Sequence, residues 1–209
     1  MIGGKWKGEK VFGFVFNEDP TELLSQIANG EKRNLKKEYQ FFGTPDELAD
    51  DLVFEAQIEP FHEILEPSAG QGAIVKAILR VFPKLKVDAY ELMPVNQTFL
   101  KKISEVNLIG EDFLTADNKK KYDVIIANPP FAANQDIDHI MKMYDLLKVG
   151  GRLVSVASKH WQTSTNKKET AFRDWLKKVE YDFQEIPSGK FKESGTNIAT
   201  VFIVINKKS

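Results

Sequence analysis

The sequence predicts an α/β protein: a mostly parallel sheet of seven strands with helices on both faces. Three observations predict it. From about Tyr39 onward, short apolar runs alternate with amphipathic stretches of helical length, the pattern of repeated βα units. Such crossovers place helices over both sheet faces. The last two apolar runs, 181–186 and 198–206, have no helical stretch between them, which predicts an antiparallel last strand at the end of the sheet.

Taken in order, residues 6–16 set Phe12, Phe14 and Phe16 in alternation and predict a half-buried strand. Asp19-Pro20 opens a short helix that Gly30 closes, and the mostly basic 31–37 stretch reads as a solvated linker or helix face. At Thr44-Pro45-Asp46-Glu47 a helix begins: Thr44 can cap it, Pro45 suits its first position, and Glu47 can complete a capping box. Leu48, Leu52, Val53 and Ala56 give that helix its apolar face. Strands are then predicted at 63–66, 87–91, near 108–109, and at 122–127, 152–157, 181–186 and 198–206. Helices are predicted at 72–81, 94–104, 137–147 (ended by Val149-Gly150-Gly151) and 170–178. This divides the chain into an extension of unknown role, 1–38, and one domain, 39–209.

Composition narrows the function classes. With 209 residues and 42% hydrophobic content the chain can bury one sizeable core. Net charge is −1, which predicts no strong non-specific pull on nucleic acid but leaves room for a local basic face. There is no cysteine, which excludes disulfides, thiolate catalysis and cysteine-ligated metals. His62, His139 and His160 lack metal-ligand spacing, so no metal is expected. No apolar run reaches the length of a membrane span, and the N-terminus lacks a signal-peptide pattern. The expectation is a soluble, cytoplasmic protein with no membrane partner.

In open α/β sheets ligands bind at the carboxyl ends of the strands. The first strand is followed by Glu66-Pro67-Ser68-Ala69-Gly70-Gln71-Gly72, a turn whose glycines allow close approach of a ligand to a helix N-terminus. Val75 stands where a dinucleotide fingerprint would have its third glycine, which counts against an NAD enzyme. Glu91 ends the second strand, where a carboxylate can accept from a ribose diol or simply face solvent. Glu111-Asp112-Phe113 follows the third, suited to an adenine ring and its amino group, or to a helix cap. The fourth ends in Asn128-Pro129-Pro130-Phe131. Proline fixes φ and lacks an N–H, so this stretch makes a rigid polar pocket for an amino group on a flat ring or an amide. The alternative is a strand-ending turn. Four successive strand ends thus carry elements suited to parts of one adenosyl ligand or its target.

These motifs, in this order and spacing, resemble the class I S-adenosylmethionine-dependent methyltransferases, and more narrowly the gamma-group DNA adenine-N6 methyltransferases. Phe41-Phe42-Gly43-Thr44-Pro45 resembles that family's N-terminal cofactor motif. Gly189-Lys190-Phe191-Lys192-Glu193-Ser194-Gly195-Thr196-Asn197 resembles its base-packing loop. The resemblance covers roughly residue 39 to the C-terminus and implies a Rossmann-like fold. It implies that Asn128, Pro129, Pro130 and Phe131 are catalytic. Thr44, Glu66, Pro67, Gly70, Gly72, Glu91, Asp112, Phe113 and Asn128 would bind S-adenosylmethionine. Phe131 and Phe191 would pack on a target adenine that is flipped out or single-stranded, with Lys159, Lys190 and Lys192 near phosphates. RNA or protein-glutamine transfer, or a non-catalytic binding module of the same fold, are the alternatives. Gamma-group enzymes usually carry a target-recognition domain after the catalytic one. Here the sequence stops at Ser209, just past the last strand, so the alternatives are low sequence specificity, a separate target-recognition subunit as partner, or a piece of a longer protein. Lys119-Lys120-Lys121 reads as a solubilising run at the opposite end of the sheet. Lys159, His160, Lys167 and Lys168 read as the active-site rim, with His160-Trp161 as loop packing or a stacking element.

Overall fold

The structure is a computed structural model that describes residues 5–7, 13–15, 21, 24–25, 43–186 and 199–208. The chain divides into two compact units, Met1–Phe41 and Phe42–Ser209. In the first, β1 (Lys5–Lys7) and β2 (Gly13–Val15) pair antiparallel with Trp6 opposite Phe14. The single strand expected over 6–16 is therefore two short ones, because the chain reverses between them. Thr21, Leu24 and Ser25 are helical, after Pro20. The rest of the 19–30 helix and the 31–37 stretch lie outside the described residues.

The second unit opens with α1 (Asp46–Ala56), which buries Leu48, Ala49, Leu52, Val53 and Ala56 at helical spacing. Its start differs from expectation by one residue. Pro45 is the extended residue before the helix, and its carbonyl accepts the Ala49 N–H. Thr44 caps nothing here, because its hydroxyl is engaged elsewhere. Then follow β3 (Ile64–Glu66), α2 (Ala73–Val81), β4 (Val87–Tyr90), α3 (Pro94–Leu100), β5 (Val106–Gly110) and β6 (Tyr122–Ala127). A 3-10 turn (Ala132–Asn134) leads into α4 (Gln135–Leu146) and β7 (Leu147–Ser158). The chain continues through α5 (His160–Thr163), α6 (Lys167–Leu176), β8 (Glu180–Glu185) and β9 (Thr200–Asn206).

Seven strands form one sheet in the order β5-β4-β3-β6-β7-β9-β8. Neighbours from β5 to β7 are parallel, and β9 is antiparallel to both β7 and β8. The last strand in sequence is antiparallel as expected, but it is not at the sheet's end. It is inserted beside β7, every residue but Asn206 buried, while the polar Glu-Tyr-Asp-Phe-Gln-Glu run of β8 takes the edge. Side-chain alternation splits the core in two. Ile64, Val124, Ile126, Val154 and Val156 face α1 and α2. Leu65, Ile125, Ala127, Leu153 and Ala157 face α4 and α6.

Two local expectations are corrected. Gly150 and Gly151 do not end α4, which stops at Leu146. They lie inside β7, where pairing with β6 shifts register. Gly150 has φ +81, and a Cβ on Gly151 would sit 2.9 Å from the Lys148 carbonyl oxygen. Nor is 119–121 a merely solvated run. Lys120 Nζ lies 3.1 Å from both Asp88 Oδ2 and Glu63 Oε1, and Lys121 Nζ donates to the Asp145 carbonyl. Asp88, nearly buried at the start of β4, needs the Lys120 donor.

Candidate active site

The sheet's register brings the sequence motifs together. Leu65 lies opposite Ile125, so Glu66 and Asn128 leave neighbouring parallel strands at the same end. The turn after β3 is shaped by Gly70 (φ +55) and Gly72 (φ +81). A Cβ on Gly72 would stand 3.1 Å from side-chain carbons of Leu100 and Ile103, so only glycine meets both demands. Glu66 is 1% exposed. One of its oxygens takes the Val75 N–H at the start of α2, while Oε2 is buried without a partner. Burial and the nearby Glu91 charge push this carboxyl well above its ordinary range, against the Val75 hydrogen bond. Ser68 Oγ is also buried and unpartnered.

Glu91, just past β4, is buried and acts as a local hub. Its Oε2 accepts the Gly70 N–H at 2.6 Å; its Oε1 accepts the Met93 N–H at 2.7 Å and Asn96 Nδ2 at 3.2 Å. Burial raises its pKa, and these hydrogen bonds offset part of the rise. Glu91 therefore welds the glycine turn to the end of β4. After β5, Asp112 Oδ1 accepts the Leu114 N–H at 2.8 Å, closing a turn. Phe113 does not present the open ring expected for adenine. It is 2% exposed, with Tyr90, His139 and Lys142 Nζ around its ring. The turn that Asp112 closes, not strand alternation, brings it into the core.

Asn128 is half-buried after β6. Its Nδ2 donates to Thr44 Oγ1 at 3.1 Å, and its Oδ1 is buried with no partner. Pro129 is buried, Pro130 half-buried, and Phe131 half-buried against the core on the α1 side. Beyond Phe131 the backbone is strained. Ala133 (φ 51) and Asn134 (φ 55) both occupy the left-handed region, at roughly 1–3 kcal/mol for such a residue.

Of the expected rim cations, Lys159 is 2.6 Å from Glu185 Oε1 and Lys168 is 2.5 Å from Asp138 Oδ2. Phosphate contact would require them to change partners. Trp161 is buried and packs edge-on against Phe172, as loop packing predicts. Phe191, Lys190 and Lys192, with Phe41 and Phe42, lie outside the described residues. Sequence reasoning missed the Thr44–Asn128 bond, which joins residues far apart in the chain. It also missed Glu169, whose polar residue type in a helix gave no sign that it is buried.

The profile of the methyltransferase small domain matches residues 47–182, well over half of the chain. The chain belongs to this family. A type I restriction enzyme EcoKI M protein superposes with a TM-score of 0.68 at 16% identity, over 92% of this chain and 48% of that one. At that identity the likeness concerns the fold. Among curated relatives, a type II methyltransferase, M.CvrRI, of Paramecium bursaria Chlorella virus XZ-6E is 34% identical over 105 residues. That match covers 48% of this chain and 27% of the relative. A malonyl-[acyl-carrier protein] O-methyltransferase of Ilyobacter polytropus is 33% identical over 51% of this chain and 42% of the relative. The chain thus spans less than half the length of either relative. The fold is that of the Rossmann-like class I methyltransferases. Among the described residues no helix is long and apolar enough to cross a membrane, and no cluster of three metal-ligating side chains occurs.

Proposed function

We propose that the chain is a cytoplasmic enzyme that methylates an exocyclic amino group, with adenine N6 in DNA as the acceptor. One observation carries this reading: the buried, unpartnered Oδ1 of Asn128, aimed by the bond from Nδ2 to Thr44. A buried acceptor without a donor is costly, and it is repaid when an amino hydrogen arrives.

The residues fit the cofactor. It is a cationic, hydroxyl-rich ligand, and the glycine turn is lined by orphaned acceptors, Glu66 Oε2 and Ser68 Oγ, with Glu91 alongside. Glu66, Pro67, Gly70, Gly72 and Thr44 would hold its methionine end, Glu91 its ribose, and Asp112 with the surface beside Phe113 its adenine. When bound, S-adenosylmethionine supplies a methyl group already activated by a positive sulfur. An aromatic amine is a weak nucleophile because its lone pair is delocalised into the ring. Asn128 Oδ1 and the Pro129 carbonyl would accept the two amino hydrogens, favouring a pyramidal nitrogen with its lone pair exposed. That nitrogen would be placed to accept the methyl group the cofactor would supply, and the surplus proton would leave to solvent. Positioning would supply most of the rate, with no strong general base required. A duplex base must leave the stack to enter. Phe131 and Phe191 would flank it, and a separate subunit would supply sequence recognition.

The test is incubation with cofactor labelled in its methyl group and separate DNA, RNA and protein pools, followed by mapping of the modified groups. N6-methyladenine in DNA supports the reading. Label confined to RNA, or to protein glutamine, whose amide presents a similar NH₂, replaces the acceptor. No label in any pool despite cofactor binding overturns it in favour of a binding module.

A further inference from the structure

Two adjacent non-glycine residues in the left-handed region, Ala133 and Asn134, stand one residue beyond the tetrapeptide that would grip the amino group. Such backbone persists only where its surroundings over-determine it. Both residues are held from α6. Lys168 Nζ donates to the Ala133 carbonyl at 3.2 Å and is itself steadied by Asp138. Asn134 Nδ2 donates to Glu169 Oε1 at 3.1 Å. The Glu169 side chain is 1% exposed. The same oxygen also meets Ser164 Oγ at 3.1 Å, Asn166 Nδ2 at 3.2 Å and His160 Nε2 at 3.3 Å, and Oε2 has no partner. Burial pushes this carboxyl up, but its hydrogen bonds, chiefly its own N–H, Asn166 and Ser164, outweigh that and hold it below the ordinary range. α6 already docks through Phe172 and Leu176, so packing alone does not require a buried charge here.

We infer that Glu169 is a positioning residue for methyl transfer: it fixes Asn134, and through it the bend that sets the position of residues 128–131. This deepens the proposed function and rests on it. The competing role is purely local, a carboxylate three residues after Asn166 capping its own helix.

Glycine separates the two roles, because it enters the left-handed region without strain. Glu169→Ala should lower kcat by between about tenfold and a hundredfold, the range expected of a displaced reacting group. The KM for S-adenosylmethionine should change little. In a chain that also carries Ala133→Gly and Asn134→Gly, compared with that double variant alone, the same change should cost only a few-fold. An equal loss in both backgrounds, or none in either, overturns the inference. Hydrogen exchange gives a readout independent of activity. The Asn134 N–H donates to the Phe131 carbonyl at 3.1 Å and should exchange at least about tenfold faster in Glu169→Ala, by loss of local protection. Unchanged exchange there overturns the inference even if the natural chain transfers no methyl group, a result that would count against the proposed function alone.

Discussion

The Asn128 side chain gives its two Nδ2 hydrogens one partner, Thr44 Oγ1, 84 positions away in sequence, and so turns Oδ1 inward with nothing to accept from. An amide free to rotate by half a turn would present donors to an incoming amine, which is the wrong polarity. The bond to Thr44 holds the amide in place with Nδ2 on the hydroxyl and Oδ1 away from it. Asn128→Ala should therefore reduce transfer by about a hundredfold or more, the scale seen when one oriented transition-state partner is deleted, while binding of S-adenosylhomocysteine persists. Thr44→Ser keeps the acceptor and should retain most of kcat; Thr44→Val should lose about tenfold. Equal kcat in the Ser and Val variants would show that the hydroxyl orients nothing.

Glu66 makes cofactor affinity depend on pH. Its carboxyl is ionised only above a value that burial, then the Glu91 charge, pushes well above 4.5. A bound cation beside Oε2 favours the ionised form, so affinity should rise with pH up to that value and level off beyond it. Binding at lower pH should release a proton. Calorimetric titration in buffers of different ionisation heat measures this, and Glu66→Gln should abolish the slope. For folding the sign reverses. In the unfolded chain the group ionises near its ordinary value, so the stability it lends is full below about 4.3 and is lost as pH rises towards the folded value. Across that window Glu66→Gln should gain on the natural chain by roughly 1 kcal/mol, about 2–4 °C in thermal unfolding.

Much of this site is written locally and much is not. The strand ends were legible because apolar runs stop abruptly at Glu66, Tyr90 and Ala127, and β-sheet geometry then gathers those ends at one edge. The bounds of 122–127 were read to the residue, since both flanks are polar. What escaped was tertiary. Phe113 reads as a surface aromatic beside an acid, yet Tyr90 and His139 from other elements enclose it. Lys120 reads as one of three solvated lysines, yet Asp88 on another strand claims it. Thr44 reads as a cap, but Asn128 competes for the same hydroxyl. The place of β9 between β7 and β8 was likewise invisible, because a helix-free connection specifies antiparallel pairing and not which strand takes the edge.

Gly72 is predicted to tolerate no side chain. Its φ of +81 already strains any L-residue, and the added Cβ would press on Leu100 and Ile103 at 3.1 Å. Gly72→Ala should destabilise the domain by about 1–3 kcal/mol and shift the turn that Glu91 anchors through Gly70. Cofactor affinity should fall with it. Chemical denaturation and cofactor titration measure the two losses, and an Ala variant of unchanged stability would refute the steric account.

The opposite end of the sheet offers a change that separates stability from the site. Asp88 Oδ2 receives the Tyr122 hydroxyl at 2.9 Å and Lys120 Nζ at 3.1 Å, while Oδ1 takes Asn107 Nδ2 at 2.9 Å. Burial, opposed by a hydrogen bond from Asn118 and reinforced by Asp88, raises the Tyr122 pKa, so the hydroxyl stays protonated and donates. Tyr122→Phe leaves the ring's packing intact and deletes that donor, together with the acceptor for Asn118 Nδ2 at 3.2 Å. A hydrogen bond to a charged acceptor is worth about 1.5–3 kcal/mol, and Lys120 remains to compensate in part, so a loss of about 1–2 kcal/mol is expected in urea unfolding. Tyr122 begins β6 and Asn128 follows its end, so kcat and cofactor affinity should not move. A fall in kcat with unchanged stability would mean that the two ends of β6 are coupled through the strand itself.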